Sequence, residues 1–432
     1  MKKLKNILYC SFIFPLFLSA DSLEILLKKN IYKHPQVKSS VANYQSRLHE
    51  LDEAKAGYKP HLNFSAEYGK ERSKIPSSFK GSRQLNTKSS RIVGSYNLFE
   101  GFKTTNKVAE KNSAVEVAKN KLFQKINKLS FLMIQVYIEV LRRKELLEIE
   151  DKNVDNHLES LEKVKLRLEA GDGYESDLRQ TKARVKLAQT NQLIREREYK
   201  NAQINYRRFM EKAPVSSSMS LPKTTLIFSE KQIDSLIIEA QKKNHLAQVK
   251  SHEIEISKAV YEQQRSKNYP SLNVEVSKTW SDNLNGFKGE DESSKVALVF
   301  NYNFYNGGAD KASQLSAMKK SEMSLYELDD LKLDIEERIR ISLMKYDMLE
   351  SQEKLLNEQL ELLQGTRNLY EIEYQHNKRT IIDLLNIKQE YNYAKSQKTN
   401  VYYDKMLAYF QFKSTMGSLV KDFHLDDILE RP

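Results

Sequence analysis

Cysteine is almost missing from this 432-residue chain, which has one, Cys10. A lone thiol closes no disulfide within the chain and builds no cysteine-based metal site. Glycine (13) and proline (8) are also scarce, so a fold of many short elements is excluded and long uninterrupted ones are expected. After the N-terminus there is no long apolar run, 30% of residues are charged and mean hydropathy is −0.64. A bundle of membrane-spanning helices, each needing roughly 20 apolar residues, is therefore excluded. Any membrane crossing has to use strands. The eight histidines are scattered. His245 and His252 lie seven apart, and no His-Glu-x-x-His motif accompanies them, so wet helix-surface histidines explain the pair better than a metal site. Glycine-rich phosphate loops and nucleophile–base pairs are missing too, and the chain reads as no enzyme, with no catalytic residue, metal or cofactor.

The formal charge is +12. The basic residues alternate with acidic ones along helical stretches and do not gather with aromatic partners, which describes a solvated helix surface and not a nucleic-acid site. Lys2, Lys3 and Lys5, the apolar stretch Ile7 to Leu18, and Leu18-Ser19-Ala20 before Asp21 read as a secretory signal peptide over residues 1–20. Cys10 falls inside its apolar stretch, away from any lipidation position, so the mature chain is expected to hold no cysteine.

What the chain does contain is a second copy of itself. Tyr96-Asn97 and Gly101 return as Tyr302-Asn303 and Gly307, Asp177-Leu178 as Asp383-Leu384, and Met210 as Met416. Upstream, Gln36-Val37-Lys38-Ser39 returns as Gln248-Val249-Lys250-Ser251, and Pro60 and Leu62-Asn63 return as Pro270 and Leu272-Asn273. Two copies of one structural unit are implied: residues 21–211 and 231–417, with an irregular connection at 212–230 and a tail at 418–432.

Between Lys103 and Ala170 the chain has neither proline nor glycine. Ile126, Met133, Val140, Leu147, Val154, Leu161 and Leu168 recur every seven residues, the signature of a left-handed coiled coil. About 67 helical residues make a rod of roughly 100 Å. The second copy repeats the series with Leu328, Ile335, Leu349, Leu356, Leu363 and Tyr370. Each rod is expected to turn at a short break, Gly171-Asp172-Gly173 or Asn377-Lys378-Arg379, into a shorter returning helix. Another helix of about 35 residues is expected before each unit, near Leu23 to Gly57 and Gln232 to Lys267.

Ahead of each rod, two segments alternate with period two. Leu62, Phe64, Ala66 and Tyr68 alternate with Asn63, Ser65, Glu67 and Gly69, and Val296, Leu298, Phe300 and Tyr302 behave likewise. Strands of about ten residues, apolar outward, polar inward and ending in aromatics, match a transmembrane β-barrel with a wet interior; a soluble sheet with one face on a core would share the alternation. Four strands cannot close a barrel, so copies must associate. Two would give eight strands and a filled interior, whereas three give twelve and room for a pore. The loop ends differ in sign: Lys70 to Lys88 is basic and Ser281 to Ser294 acidic. Solvated loops account for this, and anionic lipid headgroups are a second reading for the basic side.

Taken in order, the Asn30, His34-Pro35 opening, the strand starts Tyr58-Lys59-Pro60 and Tyr269-Pro270, the turn Tyr305-Asn306-Gly307-Gly308 and the tip Tyr374 through Leu385 resemble the TolC-like outer-membrane factor family. The resemblance implies a mixed α/β membrane protein: a homotrimer with four strands per chain in a twelve-stranded outer-membrane β-barrel, continued by a coiled-coil α-helical barrel across the periplasm. It implies an exit duct contacting outer-membrane lipid and joined through a periplasmic adaptor to an inner-membrane ABC or RND transporter. It also implies that Asp383 faces the pore at a narrowed entrance, with Tyr374 and Arg379 holding it shut against Ser176-Asp177 of the first-copy tip. Two departures stand out: Asn386 where the family often has a second acid, and Asn377 where it often has glycine.

Three carboxylates around a narrow axis would favour cations. Thr380-Ile381-Ile382-Asp383 equally fits a capping box, in which the acid satisfies a free backbone amide. The Arg-Thr-x-x-Asp-Leu-Leu tip looks closer to members serving type I protein secretion than to lipidated drug-efflux members. A drug-efflux duct and, in another class, a pore-free periplasmic coiled-coil scaffold are the competing readings.

Overall fold

The computed structural model describes residues 23–74, 82–215, 219–226 and 230–429. The expected signal peptide, the serine run of the connection and the middle of the basic loop lie outside these residues. In chain order the elements are α1 (Leu23–Ile31), α2 (Pro35–Ala56), β1 (His61–Lys74), β2 (Ser82–Phe99), α3 (Lys103–Glu169) and α4 (Glu175–Met210), followed by α5 (Ile233–Lys243), α6 (His245–Arg265), β3 (Ser271–Asp282), β4 (Glu290–Asn301), α7 (Ala309–Gln375), α8 (Ile381–Met416) and α9 (Leu419–Asp422). The rods α3 and α7 have 67 residues each and the returning helices α4 and α8 have 36 each.

The helix expected before each unit is instead two helices. Pro35 sits in the first turn of α2, where its missing N–H costs nothing, and its fixed ring restricts His34 to the extended backbone observed (ψ 128°). The His34 Nδ1 accepts from the Gln36 N–H at 3.3 Å. In the second copy Asn244 does the same work, its Oδ1 accepting from the Leu246 N–H at 2.8 Å. A polar N-cap thus breaks each helix at the corresponding place.

The rod α3 is the spine of the chain. Along its strand-proximal half it packs on α2 and α6, and along its distal half on α4 and α8, while α7 lies beyond α6 and α8. The lateral order is therefore α2, α3, α6, α7 near the strands and α4, α3, α8, α7 near the tips. Midway along α3, Ile126, Leu129, Met133, Ile134, Tyr137 and Val140 are buried against α1, the ends of α4 and α8, and α9. The Tyr137 hydroxyl donates to the Ser220 carbonyl at 2.8 Å, tying the connection to this core.

The four strands form one antiparallel sheet in the order β1-β2-β3-β4. Residues directly opposite share a face, so the register gathers Leu62, Phe64 and Tyr68 of β1, Ile92 and Tyr96 of β2, Val276 and Trp280 of β3, and Val296, Leu298 and Phe300 of β4 onto one side. All of these are exposed in the single chain, Leu62 and Val296 by about three quarters. The opposite face carries Asn63, Ser65, Glu67, Arg91, Glu275 and Lys295. At the helical end Phe99, Phe102 and Tyr269 stack edge to face with centroids 5.5–6.5 Å apart.

Gly101 lies at this strand-to-rod corner with φ +64°, and a Cβ there would meet the Ser266 carbonyl oxygen at 2.6 Å and the Tyr269 Cβ at 2.9 Å. Gly101→Ala is expected to lose at least about 1–2 kcal/mol from the left-handed backbone alone, with the clash adding to it. Thermal unfolding in detergent followed by circular dichroism measures this. The matching change Gly307→Ala, where nothing lies within 4 Å, should cost the backbone share only.

Candidate functional site

The two hairpin tips lie side by side at the end of the rods farthest from the sheet. In the first, Gly171 takes φ +83°; in the second, Asn377 takes φ +59°. Asparagine is among the few residues other than glycine that adopt this conformation readily. The departure from the family's glycine is therefore conformationally compatible with the turn.

Asp383 forms the capping box. Its Oδ2 accepts from the Thr380 hydroxyl at 2.8 Å and from the Thr380 N–H at 3.2 Å, while the Asp383 N–H donates to Thr380 Oγ1 at 3.2 Å. The side-chain bond from Thr380 and then its backbone bond hold the Asp383 carboxyl below the usual range, with Arg379 adding to the effect. Arg379 is fastened to its own hairpin, with Nε 2.8 Å from Glu373 Oε2 and the guanidinium 4.3 Å from the Tyr370 ring centroid.

Tyr374 is buried at 4% exposure. The Arg167 guanidinium lies 4.1 Å above its ring and donates to its carbonyl at 2.8 Å. Burial raises the Tyr374 phenol, Arg167 and Lys163 oppose the rise, and Asp177 reinforces it. The structure thus joins Tyr374 to the first-copy hairpin mainly through Arg167. Asp177 is on the first turn of α4, and Ser176 beside it is exposed. Asn386 faces α4, where its Oδ1 accepts from Arg184 at 2.8 Å, and Gln389 accepts from the same guanidinium at 2.9 Å.

Sequence reasoning missed what lies behind these residues, a polar seam between α3 and α8. From the middle of the rod toward the tip it comprises Arg142 to Asp404 at 2.7 Å and Glu145 accepting from Thr399 at 3.0 Å and Tyr403 at 2.9 Å. It continues with Asn392 donating to Asn153 at 2.6 Å and Lys388 to Ser160 at 3.3 Å. Glu371, on α7, closes it, bridging Lys163 at 2.6 Å and Lys388 at 3.4 Å. Lys388 is itself buried. Burial alone would raise the Glu371 carboxyl, but the two lysines outweigh it and lower it. The one signal in the sequence was the recurrence of polar residues at helical spacing, three, four, seven or eight apart, on an otherwise apolar face.

His157 sits in the same seam, 5% exposed, its Nδ1 without a partner among the described residues. It borders a polar cavity of about 210 Å³ with Asn153, Arg184, Gln389 and Asn392. Burial, then Arg184 and Lys388, hold the imidazole below its ordinary value of 6.5. The neutral form is preferred in the fold, so its contribution is present above pH 6.5 and is lost as pH falls from there toward the folded pKa. The Glu371 contribution, by contrast, is present above 4.5 and is lost only as pH falls through its lower folded value.

The model of the family described as outer membrane efflux protein matches residues 26–210 and 236–418. Among solved structures, the outer membrane protein VceC of Vibrio cholerae aligns at 12% identity with a TM-score of 0.78, covering 91% of this chain and 96% of that one. The open state of the Neisseria gonorrhoeae MtrE channel aligns at 13% and 0.77, covering 91% and 88%. The Campylobacter jejuni CmeC channel aligns at 12% and 0.76, covering 91% and 84%. At such identities the likeness concerns the fold. No curated protein matches the chain.

Two outcomes test the seam. Acidification from pH 7.5 to 5.5 should lower the amide protection factors, that is, exchange relative to the intrinsic rate at each pH, in α3 and α8 around positions 153–160 and 388–392, and His157→Gln should remove most of that loss of protection. Glu371→Gln should cost about 2 kcal/mol of stability, somewhat less than a fully buried pair, because the Glu371 side chain is 28% exposed.

Proposed function

Since this chain belongs to the outer membrane efflux protein family, we propose that it is the exit duct of a tripartite exporter serving type I protein secretion. As a member of that family it is an outer membrane efflux channel. In the proposal it works as a homotrimer whose three sheets close a twelve-stranded barrel, with the rods forming a tube through the periplasm. A periplasmic adaptor joins it to an inner-membrane ABC transporter. The observation that carries the reading is the sheet, whose exposed apolar face continues into rods of 67 residues.

A second apolar series supports association of copies. Besides the heptads turned toward α8, rod α7 presents Ile341, Met348, Leu355, Leu362 and Leu369, seven apart and 49–73% exposed. A strict seven-residue series on a helix is the seam of a coiled coil and needs a facing helix. As α7 is the lateral edge of the chain, that helix comes from another copy. The type I assignment rests on the tip residues Arg379-Thr380-Ile381-Ile382-Asp383-Leu384-Leu385; a drug-efflux duct paired with an RND pump is the alternative. The pore-free scaffold lacks an account of the apolar sheet face.

In the proposed tube Asp383 lines the entrance, and Arg379, Tyr374, Asp177, Ser176 and Asn386 stabilise its closed form. Planar-bilayer recording of the purified protein tests this. Wild type should give a small cation-selective conductance, Arg379→Ser a larger one, and Asp383→Ala a lower cation preference. Unchanged conductance and selectivity in both variants would remove the gate assignment, and no channels from well-folded protein would favour the scaffold. Deleting the gene and comparing secreted proteins with drug susceptibility separates the two kinds of duct.

A further inference from the structure

The rim of the sheet at its loop end carries charges of both signs, and their placement is ordered. On the face that bears Leu62 and Phe64, β1 continues through Tyr68 to Lys70 and Arg72. On the same face β3 and β4 carry Asp282, Glu290 and Glu292. Within the chain, opposite charges already meet across strand boundaries here. Lys88 of β2 stands directly opposite Asp282 of β3, and Lys278 of β3 is ion-paired to Glu292 of β4. At β2–β3 the cation and anion are directly opposed, whereas at β3–β4 the pair is diagonal and Asp282 faces Glu290 directly, which concentrates acid toward the β4 edge. The β1 edge carries the basic Lys70 and Arg72, and the β4 edge the acidic Glu290 and Glu292, the last of which also pairs inward with Lys278.

We propose that these two rims meet between copies of the chain, Glu292 of one against Lys70 or Arg72 of the next, as a charge-matched seam that sets the register of barrel closure. The proposal rests on the trimeric reading above. Following the register, His61 is level with Ser95, Glu275 and Ala297. Crossing four strands spaced about 4.8 Å apart at a tilt of about 40° displaces the level by roughly 16 Å, about five residues at 3.3 Å each. The displacement must be even, or one strand would turn its apolar side inward, which leaves four or six.

A shift of four sets Glu292 against Lys70 and Glu290 against Arg72, and it pairs Phe300 with Leu62 and Leu298 with Phe64. A shift of six sets Glu292 against Arg72 and Phe300 against Phe64. In the opposite sense a shift of four would pair only about four residues and would place Glu292 against Leu62, a carboxylate among apolar neighbours. Opposite charges directly across antiparallel strands stabilise the pairing and like charges oppose it. The lateral order agrees, because β4 leads into edge rod α7 and β1 follows edge helix α2.

Cross-linking reads the register directly, since the chain's one cysteine, Cys10, lies in the expected signal peptide. Lys70→Cys with Glu292→Cys, and Arg72→Cys with Glu292→Cys, are each oxidised in detergent-purified protein. One of the two pairs should yield a covalent multimer that reductant dissolves, and the pair that reacts gives the shift as four or six. Charge reversal supplies the energetic test. Glu290→Lys with Glu292→Lys should lower the temperature at which the oligomer dissociates, as should Lys70→Glu with Arg72→Glu, and combining all four should recover most of the loss. If wild type is a trimer and neither cysteine pair cross-links, or the combined swap recovers nothing, the seam is wrong. A monomeric wild type would overturn the trimeric reading instead.

Discussion

Backbone hydrogen bonding inside a lipid layer governs the arrangement of this protein. No water is available there to satisfy an open strand edge, so a spanning sheet has to close on itself. Four strands in the order β1-β2-β3-β4 leave two edges, and the exposed apolar face beside them has no partner among the described residues of its own chain. In the proposed channel, closure therefore passes to other copies. The same requirement extends to the helical part, where α7 keeps a heptad of large apolar residues unmatched on the side that follows β4. Edge strand and edge helix call for the same neighbour, so one rotation of the chain meets both needs.

Duplication supplies the lengths, and divergence between the copies supplies the asymmetry. The rods are equal in length, yet α3 buries a long run of its residues while α7 buries few. The difference follows from position in the wall. Rod α3 is flanked on both sides within the chain, whereas α7 has a neighbour on one side only. Two related sequences thus became an interior rod and an interfacial one.

Much of this was legible in the sequence. Period-two alternation located the strands and their faces, the absence of glycine and proline bounded the first rod, the heptads located the second, and the repeated tip marked the turns. What stayed hidden has physical reasons. The break at Asn244 is a single residue inside a continuous amphipathic pattern and does not disturb the average periodicity, whereas the break at residues 32–34 was marked by Pro35 and was read through. The α7 heptad beginning at Ile341 is one residue out of step with that of Leu349, Leu356 and Leu363, so a single stripe was read where two adjoin. The seam from Arg142 to Glu371 joins residues more than two hundred positions apart. Nothing local marks Lys388 or His157 as buried.

At the tip, the capping and pore readings of Asp383 turn out not to compete. A charge that is to act on passing ions must stay ionised and must stay in place. The capping box does both, because two bonds from Thr380 to one carboxylate oxygen lower the proton affinity of the group and restrict its rotamer. Arg379, bound to Glu373 on the same hairpin, adds its charge to the forces that keep that carboxylate ionised. The buried polar seam behind them lies between α3 and the hairpin of α7 and α8, and its contacts other than Glu371–Lys388 are made only while the two hairpins stay in register. An outward movement of the second hairpin would carry Lys388 and Glu371 away together, still paired with each other, and would part them from Ser160 and Lys163 of α3, leaving these groups to be wetted at the same time. Ion pairs close enough to the surface to be rehydrated tolerate such separation far better than a wholly apolar core, whose exposure would cost free energy in proportion to its area. The tip itself is held by an apolar cluster that includes Val164, Leu178, Leu363, Leu384 and Leu385, so in the proposed gate opening has to expose that cluster, while the polar seam between it and the core around Tyr137 can separate by taking up water.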